Sequence, residues 1–334
     1  QMRGNSIESD LLERDFTINA MALDLAQPDV IIDPLKGARD LQQKLLKPVT
    51  STSLNDDPIR AMRAVRYAVN HSLKIDRKTI EEIKIAAALL DNVSFERKRD
   101  ELFKILSSQH INSAVQLLHR FNIIPKLGLP MRPDVETRGR EIENLDDILQ
   151  LVCKRVDPDK KQSFQLTSLL LKLSRFSNVL NSFYFDPEPS GRSRRDILLF
   201  SLLLKQGITR EAIAHLALSV DEMDVILKLQ QMAAFPENLI HSPEILTERE
   251  LYRYFLACER CGVDLIFLSL GKTLADLPDA NTQKTWLILL DRAEQCLGTW
   301  FDHPERVHPK PLLSGKDLMF QFDLPPGPYI GELL

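Results

Sequence analysis

From about residue 36 to residue 300, the apolar residues of this chain recur at three- and four-residue intervals, so most of it has to fold as packed helices. The spacing predicts helices over 40–46, 58–71, 77–89, 94–107 and 111–120, with the Phe121 to Pro125 segment ending the set. A Pro/Arg-rich stretch over 125–140 interrupts the pattern, and a second helical region then runs over 141–300. Inside it, 185–195 reads as a loop and 197–204 as a continuously apolar helix core. The beginning has a different rhythm. A short helix over 7–13 begins at Ser6, and 17–25 and 30–33 read as two strands joined by Ala26-Gln27-Pro28-Asp29. The expected fold is therefore mainly α: an α/β segment over 1–48, a helical unit over 49–125, a larger one over 126–303 and a tail over 304–334. At 334 residues and 44% hydrophobic, the chain can bury the core of two or three such units.

The helix expected from Pro58 carries both charge signs at its start. Asp57 suits an N-cap and Pro58 the first helical position, where its missing N–H costs nothing, so Arg60 falls in the first turn beside Asp57. Arg60, Arg63 and Arg66 follow one flank; Ile59, Met62, Val65 and Val69 follow another. One flank packs and the other is free to meet a polyanion. Taken alone, the same residues also fit a plain cap and a solvated arginine face.

The net charge of −4 and a pI near 6.0 exclude a globally basic nucleic-acid binder, so RNA would have to be met by a local basic face such as 60–104. Four cysteines are few for this length and suit a reducing compartment, and Cys258 and Cys261, in an apolar helical pattern, read as core thiols. No apolar run approaches the ~20 residues that span a bilayer, and no signal peptide opens the sequence. A cytoplasmic protein is expected. None of His215, His241, His303 and His308 has a partner at ligand spacing, and no His-Asp dipeptide occurs, so no metal site is expected.

Four segments in order carry a resemblance. Glu13-Arg14-Asp15-Phe16-Thr17-Ile18-Asn19-Ala20 is close to R-R-D-F-T-I-N-A, with Glu13 in place of the first Arg. Asp33-Pro34-Leu35-Lys36-Gly37-Ala38-Arg39-Asp40-Leu41 matches D-P-x-x-G-x-x-D-L; Asp56-Asp57-Pro58-Ile59-Arg60 matches E-D-x-x-R with Asp56 for Glu; the Val93 to Leu102 segment matches V-S-x-E-R-x-x-x-E-L. With these the chain resembles the class II tRNA nucleotidyltransferase and bacterial poly(A) polymerase family. Near the end, Gly315-Lys316-Asp317-Leu318-Met319 and the segment from Pro325 to Leu334 resemble the family's G-x-D-L-M … P-G-P-x-x-G-x-L-L tail. That tail reads equally as a turn packing on the body or as backbone N–H groups meeting an RNA phosphate.

The resemblance implies the end of a nucleotidyltransferase head, then a neck, body and tRNA-binding tail, acting in 3′-terminal CCA addition, with ATP and CTP as substrates and tRNA or another RNA 3′ end as partner. It implies that Asp57 and Arg60 select the incoming base, Arg14, Asp15 and Asn19 lie near its sugar and phosphates, and Arg63 and Arg66 help hold triphosphate. For Arg14, Asp15 and Asn19 an ion pair with a capping Asn, and for Arg66 a packing role, stay open. Arg97, Lys98, Lys104 and Lys316 are the expected RNA contacts, although Arg97 and Glu101, four apart, also read as a helix brace. Catalytic carboxylates are not expected here: the family's Asp-x-Asp, which would hold Mg2+, follows a Gly-Gly phosphate loop, and no Gly-Gly occurs in these residues. By the resemblance, a catalytic segment precedes Arg14, and the tail reads as clipped. Polyadenylation and a non-catalytic helical RNA-binding module remain rival readings, and oligomeric state is open.

Overall fold

In a computed structural model, the structure describes residues 6–108, 110–132, 134–156, 163–232, 245–275, 280–309 and 313–333. It is helical nearly throughout. Ser6 accepts a hydrogen bond from the Ser9 N–H and opens helix α1, Ile7–Leu12. The strand expected from Thr17 gives way to a 3-10 turn over Thr17–Asn19, because the Thr17 side chain and N–H are tied to Asp40 and the Lys47 carbonyl. Strands β1, Ala22–Asp24, and β2, Gln27–Ile32, then form a tight antiparallel hairpin.

Helix α2 runs over Gly37–Gln42, starting earlier than its apolar pattern suggests. The Asp33 carboxylate accepts from the N–H groups of Gly37 and Ala38 at 2.7 and 3.0 Å, and so begins the helix. A Cβ on Gly37 would lie 2.0 Å from the Thr17 carbonyl oxygen, so this close approach admits glycine alone. Asp40 accepts from the Thr17 hydroxyl at 2.8 Å and from Lys47 Nζ at 2.7 Å. These three contacts account physically for D-P-x-x-G-x-x-D: a cap, a close approach and a tie that fix α2 against the Thr17–Asn19 turn. After α2 the chain forms β3, Leu45–Leu46, which pairs in parallel with β4, Lys74–Ile75.

The neck comprises α3 (Ser53–Asp56), α4 (Arg60–Asn70), α5 (Arg77–Ala88), α6 (Phe95–Leu106) and α7 (Ile111–Arg120). Helix α4 buries Ala61, Met62, Ala64, Val65, Ala68 and Val69 on one face, as its pattern requires. Its start differs from the sequence reading. Arg60, Ala61 and Met62 bond back three residues, to Asp57, Pro58 and Ile59, before the α-helical ladder begins, and the Asp57 side chain caps nothing.

Helix α8, Val135–Val152, begins inside the Pro/Arg-rich stretch and packs on α7, and one apolar core continues from Phe16 through the neck to Val307. The body adds α9 (Phe164–Leu173), α10 (Ser177–Phe185), α11 (Arg194–Leu203), α12 (Arg210–Ile213) and α13 (Val220–Met232), then helices Glu248–Cys258, Cys261–Ala275 and Ala280–Phe301. Cys258 and Cys261 flank the corner between two of these helices as buried thiols, pushed up by burial to about 11 and about 12. At the body's centre Arg194 donates to Asp264, which is 0% exposed, at 2.5 Å.

In the tail, Ser314 and Asp317 form a reciprocal cap on helix Gly315–Gln321, and a short helix Tyr329–Leu333 follows. Lys316 is exposed there, beside Phe320 at 92% exposure. His241, the Pro311 that precedes the tail motif and Leu334 lie outside the described residues. Among the described residues no helix is long and apolar enough to cross a membrane.

Candidate nucleotide-binding cleft

Where the end of α1, the start of α4 and the start of α6 converge, they enclose a polar cleft of about 620 Å³. Its walls include Arg14, Asp15, Asn19, Asp57, Arg60, Arg63 and Arg97, joined by Asp10, Glu13, Ile59 and Tyr67. Six of the seven residues expected to handle nucleotide therefore meet in one place, although their segments are far apart in sequence.

Asp15 is the centre of this arrangement. It is 4% exposed; Oδ1 accepts from its neighbour Phe16 N–H at 2.9 Å and from Asn19 Nδ2 at 3.1 Å, while Oδ2 accepts from Arg63 Nε at 2.7 Å. Arg63 Nη2 lies 2.7 Å from the same oxygen and also donates to the Tyr67 hydroxyl at 3.0 Å. Burial alone would push the Arg63 guanidinium down, but the Asp15 carboxylate more than reverses this and raises it. Arg63 stays charged and lines the cleft. Arg14 is paired with Asp10, the ion pair at the helix end that the sequence left open.

Asp57 and Arg60 both line the cleft, yet they do not bond to each other. Arg97 Nη2 donates to both oxygens of Asp57, at 3.0 and 2.8 Å. Arg60 turns the other way: Nη1 donates to Ser53 Oγ at 2.7 Å, to the Ser53 carbonyl at 3.0 Å and to the Arg14 carbonyl at 3.3 Å, and Nη2 to the Glu13 carbonyl at 2.8 Å. The Arg97–Glu101 brace does not form. Glu101 instead takes Arg66 Nε at 2.6 Å, and this draws Arg66, whose guanidinium stacks on Tyr67, away from the cleft. Of the two roles left open for Arg66, this arrangement is the packing one.

The expected RNA contacts divide. Lys104 and Lys316 are exposed, and Arg97 lines the cleft. Lys98 is 4% exposed, with its ammonium over Phe95 and bonded to the Lys126 carbonyl at 3.0 Å, and burial lowers its pKa, so the side chain is turned inward and not toward solvent. Sequence reasoning missed Ser53 and Tyr67. The Arg63–Tyr67 contact had a signal, an i, i+4 pair on one helix, whereas Ser53 had none.

A depression of about 670 Å³ in the body is lined by Arg175, Glu248, Asp291 and Asp302 among others. Its charges already satisfy one another through Arg175–Asp302, Lys172–Asp291 and Arg306–Glu248 pairs, which makes it a salt-bridged surface.

The cleft lies where the small α/β segment at the start of the chain meets the helices that follow it. Residues 1–47 match the family described as Poly A polymerase head domain, and residues 72–129 match Probable RNA and SrmB- binding site of polymerase A. A CC-adding tRNA nucleotidyltransferase of Halalkalibacterium halodurans is 36% identical over 150 residues, 44% of this chain and 40% of that protein. An A-adding tRNA nucleotidyltransferase of Deinococcus radiodurans is 27% identical over 98% of this chain and 74% of its own length. A solved CCA-adding enzyme in its apo form has a similar fold, with a TM-score of 0.63 at 20% identity over 98% of this chain and 66% of that one. A Thermotoga maritima CCA-adding enzyme complexed with tRNA gives 0.56 at 19%, over 98% of this chain and 67% of that one. Over these segments the chain is similar to tRNA nucleotidyltransferases and to the poly(A) polymerase family. It spans less than half the length of the first of these relatives and about three quarters of the second.

Proposed function

We propose that this chain supplies base selection and RNA holding to an enzyme that adds CMP and AMP, from CTP and ATP, to the 3′ end of tRNA. The observation that carries this reading is the convergence of Asp57, Arg60, Arg63, Asp15 and Arg14 on one cleft of nucleotide size. Cytosine and adenine each present an exocyclic amine beside a bare ring nitrogen, whereas uracil and guanine present a carbonyl beside an N–H. A carboxylate at Asp57 accepts from the amine and a guanidinium at Arg60 donates to the ring nitrogen, so the other two bases meet mismatched groups. Each mismatch costs on the order of 1–3 kcal/mol. Arg63 and Arg14 offer charge to the phosphates, and exposed Lys104 and Lys316 to the RNA backbone.

Transfer of this kind normally uses two Mg2+ ions held by paired carboxylates. The cleft's residues do not fit that role: Asp10, Asp15 and Asp57 are each engaged by an arginine, and among the described residues no cluster of three His, Cys, Asp or Glu could hold a metal. The metal-holding carboxylates are therefore not those of this cleft. Polyadenylation is the second reading, favoured by the polymerase description of the matched head segment.

The test titrates the purified chain with each of the four nucleoside triphosphates, followed by NMR on the arginine side-chain N–H groups. CTP and ATP should bind in preference to UTP and GTP, and Arg60→Ala and Asp57→Ala should each shrink that preference about fivefold or more. Wild-type ratios in both variants would refute base selection by this pair. With the catalytic segment supplied, faster labelling of tRNA lacking CCA than of generic RNA separates CCA addition from polyadenylation.

A further inference from the structure

Of the four cleft arginines, three are matched with carboxylates: Arg14 with Asp10, Arg63 with Asp15 and Arg97 with Asp57. Arg60 has no carboxylate partner among the described residues and is held by neutral oxygens. The shortest of these bonds runs to the Ser53 hydroxyl at 2.7 Å. Ser53 is 3% exposed, and the same hydroxyl lies 3.1 Å from the Asp15 carbonyl and 3.4 Å from the Arg14 carbonyl, both of which it can reach as donor. One side chain thus ties the Arg60 fork to the backbone of the segment that carries Arg14 and Asp15.

We propose that Ser53 is a positioning residue for base selection: its hydroxyl fixes the end of the Arg60 guanidinium so that Nε–H and the second Nη2–H face the incoming base. The inference rests on the base-selecting role proposed for Arg60. The end-on donors, Nη1 and one Nη2 hydrogen, are occupied by Ser53, Arg14 and Glu13, which leaves the side edge of the fork as the part that can read a ring nitrogen. Because the holding oxygens are neutral, Arg60 keeps its full charge toward the ligand, and its geometry depends on short-range hydrogen bonds instead of a salt bridge. Loss of the hydroxyl leaves no group stranded. Arg60 Nη1 retains two carbonyl acceptors, and the Asp15 carbonyl still accepts from the Val49 N–H at 3.1 Å. The fold should survive while the fork gains freedom to swing.

The experiment compares Ser53→Ala, Ser53→Thr, Arg60→Ala and the Ser53→Ala/Arg60→Ala double variant in the four-nucleotide titration, with melting as a control. Ser53→Ala should lower the preference for CTP and ATP over UTP and GTP by about fivefold, the net worth of one typical hydrogen bond, with the melting point nearly unchanged. Ser53→Thr, which keeps the hydroxyl, should restore it, and the double variant should be no less selective than Arg60→Ala. If Arg60→Ala loses selectivity while Ser53→Ala keeps the wild-type ratios, the positioning role is overturned and the base-selecting role of Arg60 stands. Equal weakening of all four nucleotides in Ser53→Ala also overturns it, since a purely structural residue behaves that way. If Arg60→Ala keeps wild-type ratios, or the wild-type chain binds none of the four, both proposals fall together.

Discussion

Asp15→Asn is the most informative single change, because it preserves shape and removes what the cleft is built on. An asparagine there has one acceptor and one donor face where the aspartate has two acceptors. Oδ1 of Asp15 receives the Phe16 N–H and Asn19 Nδ2, and Oδ2 receives Arg63, so either orientation of the amide points a donor at a donor. Breaking a fully buried ion pair costs about 3–5 kcal/mol. Arg63, at 33% side-chain exposure, can recover some hydration, so we take about 2–4 kcal/mol. Unfolding entropy of ~2.1 cal/mol/K per residue, over a chain of this length melting as one unit, gives about 0.7 kcal/mol/K, so the melting point should fall by about 3–6 °C. Nucleotide affinity should drop through the loosened Arg63, by the same factor for all four bases, because Asp57 and Arg60 are untouched. Differential scanning calorimetry and the four-nucleotide titration measure the two effects. A melting point within 1 °C of wild type, or a change in base preference as large as that of Arg60→Ala, would show that Asp15 does not organise this cleft as described.

Gly37→Ala places a Cβ 2.0 Å from the Thr17 carbonyl oxygen, so the urea midpoint should fall by the equivalent of about 1–3 kcal/mol; an unchanged midpoint would show that the close approach relaxes without cost. Glu222 supplies a pH dependence. Burial acts to raise its pKa, but the Ser219 N–H at 2.8 Å and Arg192 at 2.9 Å win and lower it below 4.5. Its contribution is therefore complete above pH 4.5 and is lost as pH falls through the lower folded value. Glu222→Gln should lose about 1–3 kcal/mol at pH 7 and decline less steeply below pH 4.5 than wild type, and parallel acid profiles would contradict this.

How much of the fold was legible follows from which forces set each element. Helix α7 falls on the residues its apolar period marks, and α5 and α6 end within one residue of theirs, because burial of one face decides them and their caps, Asp76 and Ser94, are local. The 3-10 turn at Thr17 and the early start of α2 were not legible from period. Both depend on side chains, Asp40 and Asp33, that bond to backbone or hydroxyl groups several residues away or more, and such a bond leaves no trace in hydrophobic spacing.

The cleft follows the same division between what spacing encodes and what packing decides. Motif order brought out Arg14, Asp15, Asn19, Asp57, Arg60 and Arg63 together, and the structure gathers all six. Pairing was another matter. One-turn spacing favoured Asp57 with Arg60 and Arg97 with Glu101, yet each carboxylate found its partner across the α4–α6 interface: Asp57 with Arg97, forty positions on, and Glu101 with Arg66. Helical neighbours meet at small cost in side-chain order, but an exposed i, i+4 pair is worth only about 0.3–0.5 kcal/mol. The carboxylate of Glu101, 4% exposed, is costly to bury without a close cation, and Arg66 presents its guanidinium there from the edge of α4 that meets α6. Once Arg66 occupies Glu101, Arg97 is free to reach Asp57. The bond that holds the proposed base-reading carboxylate in place is thus decided by how two helices pack, and no reading of either helix alone contains it.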